Sequence, residues 1–196
     1  MNTIVVVIIV IVVIAVVAAA GAYVYRRRQS SSLQERFGPE YERTVRQAGH
    51  RRSAEKVLHE REKRRSSFDV TPLSEQAAAA YRSEWAEIQQ GFVDEPAGAV
   101  RRADVLVVRM MRDSGYPVDD FERRADDISV DHPDVAQHYR EAHAVAVKQV
   151  AGEADTEQLR QAVTSYRELV AALLDDSSPA DGPSPTYGTR RSDGDT

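Results

Sequence analysis

Hydrophobic positions are distributed very unevenly along this chain. Ile4 to Val24 is an unbroken run of 21 residues without a charged side chain. At about 1.5 Å per residue, a helix of this length matches the roughly 30 Å hydrocarbon layer of a bilayer. The polar and aromatic residues that flank the end of the run are Tyr23, Tyr25, Arg26, Arg27 and Arg28. The tyrosines suit an interfacial aromatic belt and the arginines end the run, so residues 1–25 are predicted to form a transmembrane anchor.

The three arginines also predict an orientation. Positively charged flanks stay on the cytoplasmic side, so the rest of the chain is expected in the cytoplasm, at the cell membrane. A cleavable signal peptide is the alternative, and it requires a positive n-region before an apolar stretch of about 7–15 residues. The first three residues carry no side-chain charge and the run is longer, although the alanines at 18–20 resemble a cleavage site.

Beyond a basic and polar linker predicted at residues 26–32, apolar residues recur at helical spacing over residues 33–174. Two stripes are clearest, and we predict that they pack on each other. They consist of Tyr81, Trp85, Ile88 and Phe92, and of Leu159, Val163, Tyr166, Val170 and Leu173. No stretch outside the apolar run alternates with period two over a strand's length. The predicted fold is all-α: a transmembrane helix, a helical-bundle domain, and a disordered tail at residues 175–196 that is rich in Ser, Pro, Gly and Asp.

Turn and capping residues predict where the helices begin and end. Gly38 and Pro39 are expected to restart the chain, and Gly49, Gly115 and Gly152 to follow helix C-termini. The expected N-terminal caps are Ser74, Asp94, Asp119 and the Asp155–Gln158 capping box.

The composition of the chain excludes several kinds of chemical site. The chain has 196 residues and no cysteine, which excludes disulfides, zinc-thiolate sites and a cysteine nucleophile. Its net charge of −5 conceals a strong asymmetry. Residues 26–65 hold 13 basic and 6 acidic residues, whereas residues 66–196 hold 13 basic and 25 acidic ones. The positive end of the protein therefore adjoins the predicted anchor.

Each Lys or Arg near an anionic lipid surface contributes about 1 kcal/mol of attraction. We therefore expect the charged helix at residues 51–65 to lie near anionic headgroups. The candidate lipid-facing residues are Arg51, Arg52, Lys56, Lys63, Arg64 and Arg65. The alternative is a solvated helix held by i,i+4 ion pairs such as Glu60 with Arg64. Nucleic acid is not an expected partner, because six glutamates interrupt the basic stretch and the remainder is acidic.

Motifs for catalysis or cofactor binding are lacking. There is no phosphate-binding glycine loop and no Gly-x-Ser-x-Gly elbow. His138 and His143 are five residues apart and would diverge by about 140° on a helix. We expect no catalytic residue, no cofactor and no metal ligand.

Several short motifs resemble one family. They are the stretch from Arg36 to Arg43 (RFGPEYER), Trp85 to Pro96 (WAEIQQGFVDEP), Gly115-Tyr116-Pro117, Ser129 to Pro133 (SVDHP) and His138-Tyr139-Arg140. This pattern is similar to that of uncharacterised bacterial proteins, often labelled secreted or membrane proteins, with one N-terminal hydrophobic segment and a helical domain. The resemblance covers about residues 33–174 and implies that fold, but it carries no activity and no site residue.

The sequence favours a membrane-anchored helical interaction or scaffold module. Its expected partners are the bilayer, anionic headgroups, and a protein partner or a second copy of the chain. Three alternatives stay open: a membrane-proximal enzyme using the Asp131–Arg140 region, a structural anchor that oligomerises through its membrane helix, and a cleaved secreted helical protein. The enzyme would require a deep pocket that gathers His132, His138 and an acid.

Overall fold

The computed structural model describes residues 2–176, and its regular secondary structure in that range is entirely helical. The helices are α1 (Asn2–Ala48), α2 (Arg51–Arg65), α3 (Glu75–Gly91), α4 (Pro96–Asp113), α5 (Phe121–Asp131), α6 (Pro133–Val150) and α7 (Thr156–Asp175). The all-α prediction is confirmed for these residues. The predicted tail at residues 175–196 overlaps the end of α7, and its remaining part, residues 177–196, lies outside the described residues.

The N-terminal helix differs from the prediction in one respect. Residues 26–32 were expected to form a linker, yet their backbone is helical and continuous with both sides within α1. The physical reason is that residues 22–37 contain neither glycine nor proline, so nothing interrupts the helix before Gly38 and Pro39. Among the residues that the structure describes, no helix is both long and apolar enough for a membrane span. Most side chains of the Ile4 to Val24 run lie outside that description.

Most predicted helix boundaries are confirmed, with two corrections. The Ser74 hydroxyl accepts a hydrogen bond from the Ala77 amide, and both bonds of the predicted capping box at the start of α7 are present. The N-cap of α4 is Glu95 rather than Asp94. The N-cap of α5 is Asp120 rather than Asp119, because α5 begins at Phe121 and an N-cap carboxylate must reach an amide three residues ahead.

The largest hydrophobic core surrounds α4. The fully buried side chains of α4 itself are Ala99, Val100, Ala103, Leu106, Val107, Met110 and Met111. Helix α3 packs on α4 from one side, and α7 packs on α4 and α6 from another. The prediction that the α3 and α7 stripes pack on each other is therefore wrong. Helix α4 is apolar on more than one face and lies between them. Both stripes are buried apart from their partly exposed members Phe92 and Val163.

A smaller second core joins the end of α1 to the domain. It consists of Leu33, Phe37, Tyr41, Leu58 and Val130, all at most 5% exposed. These residues come from α1, α2 and α5. The helix that begins with the apolar run thus ends inside the packed domain.

Candidate membrane-facing site

Gly38 divides α1 into two segments that fold back on each other. Its backbone has φ 44° and ψ −120°, in the left-handed region that favours glycine, and Pro39 lacks the amide for a helical hydrogen bond. Ser30 Oγ lies 3.3 Å from Tyr41 Oη across this break. A straight helix would separate their Cα atoms by about 16 Å, more than the two side chains span. Residues 39–48 therefore turn back toward the N-terminal end of α1.

Two contacts set the direction of α2 along the first segment of α1. The Tyr41 hydroxyl, beside Ser30, donates to Glu55 Oε1 over 3.2 Å. Arg36 Nη1 lies 2.9 Å from Glu62 Oε1. The contacted positions rise in the same order on both helices, so α2 runs alongside residues 30–37 in the same direction. Extrapolation at about 1.5 Å per residue places the first turn of α2 level with residues 26–28, where the apolar run ends.

The turn between α1 and α2 carries a cluster of exposed basic residues, which we name the basic tip: Arg46, His50, Arg51 and Arg52. No acidic residue occurs between positions 43 and 54. Among the side chains and backbone groups that the structure describes, none forms a hydrogen bond or ion pair with the three arginine side chains. The basic tip is therefore a concentrated and unneutralised positive surface.

The start of α2 adds to this positive charge. The N-cap His50 makes no side-chain capping bond, and the first turn contains no acidic residue. A helix N-terminus carries a partial positive charge from its unsatisfied amides, which an anion stabilises. Arg51 and Arg52 are placed here with no capping acid beside them. This end of the protein is suited to bind an anionic group.

The six candidate lipid-facing residues separate into two groups. Arg51, Arg52, Lys56 and Lys63 are exposed, although Lys56 pairs with Glu60 over 3.8 Å. Lys63 lies about 18 Å along α2 from Arg51, away from the end of the apolar run. The side chains of Tyr23, Tyr25, Arg26, Arg27 and Arg28 lie outside the described residues.

Arg64 and Arg65 turn toward the domain and pair with its acids, so the structure does not support their assignment as lipid-facing residues. Arg64 Nε donates to the fully buried Asp127 carboxylate over 2.9 Å, and this hydrogen bond raises the pKa of Arg64. Arg65 pairs with Asp131, and its guanidinium lies 5.6 Å from the Tyr116 ring centroid. Both arginines pair with acids on α5, of which Asp127 is fully buried and Asp131 is exposed. Periodicity alone does not indicate this role. The proposed Glu60–Arg64 pair is replaced by these contacts.

A buried ionic cluster behind the basic tip was not predicted. Arg61 contacts Glu40 at 3.2 Å and Asp126 at 2.7 Å. Arg140 contacts the same two acids at 2.8 Å and 2.7 Å. Burial raises the pKa of Asp126 and lowers that of Arg140. The cluster connects α1, α2, α5 and α6. One sequence signal was available, since Arg61 follows the buried Ala54 and Leu58 on one face of α2.

A cleft of about 520 Å³ lies where α2, α4, α5 and α7 end. In it the Tyr116 hydroxyl donates to Asp131 over 2.6 Å, and His132 Nε2 lies 2.8 Å from Asp176. His138 is largely exposed and faces Glu141 at 3.9 Å, and Arg140 belongs to the ionic cluster. The Asp131–Arg140 region is thus split between different surroundings. It does not form the single pocket that the enzyme alternative requires.

Comparison with known proteins adds no family to this description. No family model, no curated protein and no solved structure matches the chain. The resemblance to bacterial single-segment proteins therefore stays a prediction.

Proposed function

We propose that the protein is a single-pass membrane protein whose helical domain is an interaction module held at the cytoplasmic face of the bilayer. One observation carries this proposal above the others. The helix that contains the apolar run continues to residue 37, where Leu33 and Phe37 are buried in the second core. The domain is thus packed onto the end of the proposed anchor, with no flexible linker between them.

The ionic cluster supports a fixed attachment. Glu40 follows the break in α1 and is 1% exposed between Arg61 of α2 and Arg140 of α6. Rotating the domain about the end of α1 would expose or separate these charges, which is costly at a buried site. We infer that the domain keeps a constant height and orientation above the membrane, as a scaffold requires.

The charge asymmetry supports the orientation and the kind of interaction. The acidic remainder of the chain is repelled by an anionic bilayer and would face the cytosol. Because both apolar stripes are largely buried, a hydrophobic groove along either stripe is not the basis of partner binding in this proposal. Contact through the charged outer surface is expected, with a basic face on the partner.

The proposal is tested by topology and extraction. A reporter that is active only outside the cytoplasm, fused after Thr196, should be inactive, and alkaline carbonate should leave the full chain in the membrane fraction. The matched control deletes residues 2–25 and should be released by the same wash. Strong reporter activity, or a mature chain trimmed near Ala20 in mass spectrometry, would contradict the proposal and favour the secreted alternative.

A further inference from the structure

We propose that the basic tip is a second membrane contact, in which Arg46, Arg51 and Arg52 bind the phosphates of anionic lipid headgroups. The domain then touches the bilayer at two points, the anchor and the tip. This inference rests on the proposed function, since it takes the end of the apolar run as the level of the membrane surface. It assigns anionic lipid phosphate as the ligand of the turn between α1 and α2, whose exposed positive charge the anchor alone does not explain.

The reversal at Gly38 brings the tip to that level. Residues 39–48 fold back from the break, and the Tyr41 hydroxyl bridges Ser30 on the first segment to Glu55 on α2. The turn at residues 49–50 therefore lies beside the first segment of α1, near the end of the apolar run. In a straight α1 the same arginines would stand about 30 Å farther from the run, beyond the reach of headgroups.

The arginines of the basic tip also differ from those farther along α2 in their ion-pair partners. Arg61, Arg64 and Arg65 each contact at least one carboxylate of the domain. The arginines of the tip have no such neighbour, although the domain is rich in acidic residues. Three exposed guanidinium groups close in sequence to a helix N-terminus without a capping side chain create a local positive potential, which favours binding of an external anion.

Lipid phosphate is favoured over an acidic protein by position. A negatively charged leaflet lies next to any group at this level and attracts Lys and Arg within a Debye length, about 10 Å at 0.1 M salt. An acidic protein partner would have to enter the space between the domain and the bilayer. The test therefore varies the lipid and holds the protein constant.

The experiment uses the full chain in vesicles of phosphatidylcholine, with or without phosphatidylserine. The chain has no cysteine, so Ser53→Cys gives one labelling site for an environment-sensitive fluorophore at the exposed start of α2. Lys63→Cys, about 15 Å farther along the same helix, is the matched distal label. The test variant combines Arg46→Gln, Arg51→Gln and Arg52→Gln. Its control removes three exposed charges elsewhere: Arg102→Gln, Arg112→Gln and Lys148→Gln.

We expect a blue shift and reduced acrylamide quenching at position 53 in anionic vesicles only. Both effects should disappear in the tip variant and in 1 M salt, but persist in the control variant, with no change at position 63. An equal response in neutral vesicles, or an unchanged response in the tip variant, overturns the inference while leaving the anchor intact. A response at position 53 that appears only when an added acidic protein is present overturns it in favour of a protein partner.

Failure of the anchor is recognised separately. If alkaline carbonate releases the chain from both kinds of vesicle, the proposed function is wrong. The tip is then judged by co-sedimentation of the same full chain. Salt-reversible binding to anionic vesicles alone that is lost in the tip variant supports it, and equal binding by the tip and control variants overturns it.

Discussion

Arg140 and Glu40 are 100 residues apart in the chain and form a buried ion pair, with 2.8 Å between Nη1 and Oε1. Glu40 also accepts from Arg61, and Asp126 contacts both arginines. Arg43 Nη1 lies 3.7 Å from Glu40 as well, so the buried Glu40 carboxylate is the common partner of three arginines. The pair fixes the folded-back part of α1 against α6, so it determines where the domain stands relative to the N-terminal helix.

Glu40→Gln should destabilise the protein strongly. It removes one anion from the cluster and leaves Arg61 and Arg140 short of a counter-charge, and breaking a buried pair in this way costs about 3–5 kcal/mol. The measurement is the free energy of unfolding by urea. Glu42→Gln, at an exposed position two residues away, is the control and should stay within about 0.5 kcal/mol of the parent. Equal effects of the two changes would show that the cluster does not support the fold.

Sequence reasoning captured the helices better than their arrangement. The buried stripes of α3 and α7, the capping box of α7 and the glycine after α6 follow from periodicity and turn chemistry, which act over a few residues. The reversal at Gly38 was anticipated only as a restart. Its direction depends on the contacts of Tyr41 with Ser30 and Glu55, and local pattern does not encode them. The pairing of α3 and α7 failed for the same reason, since the partner of an apolar stripe depends on the whole core.

The charged residues show a second limit of the sequence. The sequence shows the positive net charge of residues 26–65, but it does not indicate which arginines form ion pairs within the fold. Arg64 and Arg65 face acids that lie more than sixty residues away, whereas Arg51 and Arg52 face solvent. Composition treats all four alike. Their separation depends on the rotation of α2 about its axis, which packing sets.

Glycine substitutions should separate backbone strain from steric overlap. Gly152 has φ +73° with open space around it, whereas a Cβ on Gly115, at φ +90°, would lie 2.2 Å from the Asp69 carbonyl oxygen. Gly152→Ala should therefore lower the free energy of unfolding only by the strain of a left-handed alanine, about 1–2 kcal/mol. Gly115→Ala must in addition displace the loop that Thr71 holds by donating to the Ser114 carbonyl. Urea unfolding of both variants should rank Gly115→Ala as clearly more destabilising, and the reverse order would contradict the packing of this loop.

The ionised Asp104 carboxylate should make the stability of the folded protein decrease in acid. Burial raises its pKa, but hydrogen bonds from His143 and Tyr166 outweigh burial, so the net pKa lies below the ordinary 3.8. A depressed folded-state pKa stabilises the protein above the unfolded value, and this contribution disappears as the pH falls through the folded pKa. Asp104→Asn should therefore lower stability near neutral pH, and its difference from the parent should shrink below pH 3.8. Urea unfolding at a series of pH values checks this, and a difference that grows in acid would contradict it.

Two arginines on α2 provide a matched test of which basic residues fold the domain. Arg64→Gln leaves the fully buried Asp127 carboxylate without its hydrogen-bonding cation, and an unsatisfied buried charge of this kind costs about 2–3 kcal/mol. Arg51→Gln removes the same charge from the same helix at an exposed position where no carboxylate of the described residues lies within ion-pair distance, so its effect should stay within about 0.5 kcal/mol. Unfolding by urea in detergent gives both values.

The converse measurement is attachment to anionic vesicles. Arg51→Gln should weaken this attachment and Arg64→Gln should not, provided that the Arg64→Gln variant is still folded at the assay temperature. Similar stability losses in the two variants would mean that α2 is rotated from the orientation described, and both the ion pairs with α5 and the exposed basic tip would then be wrong together.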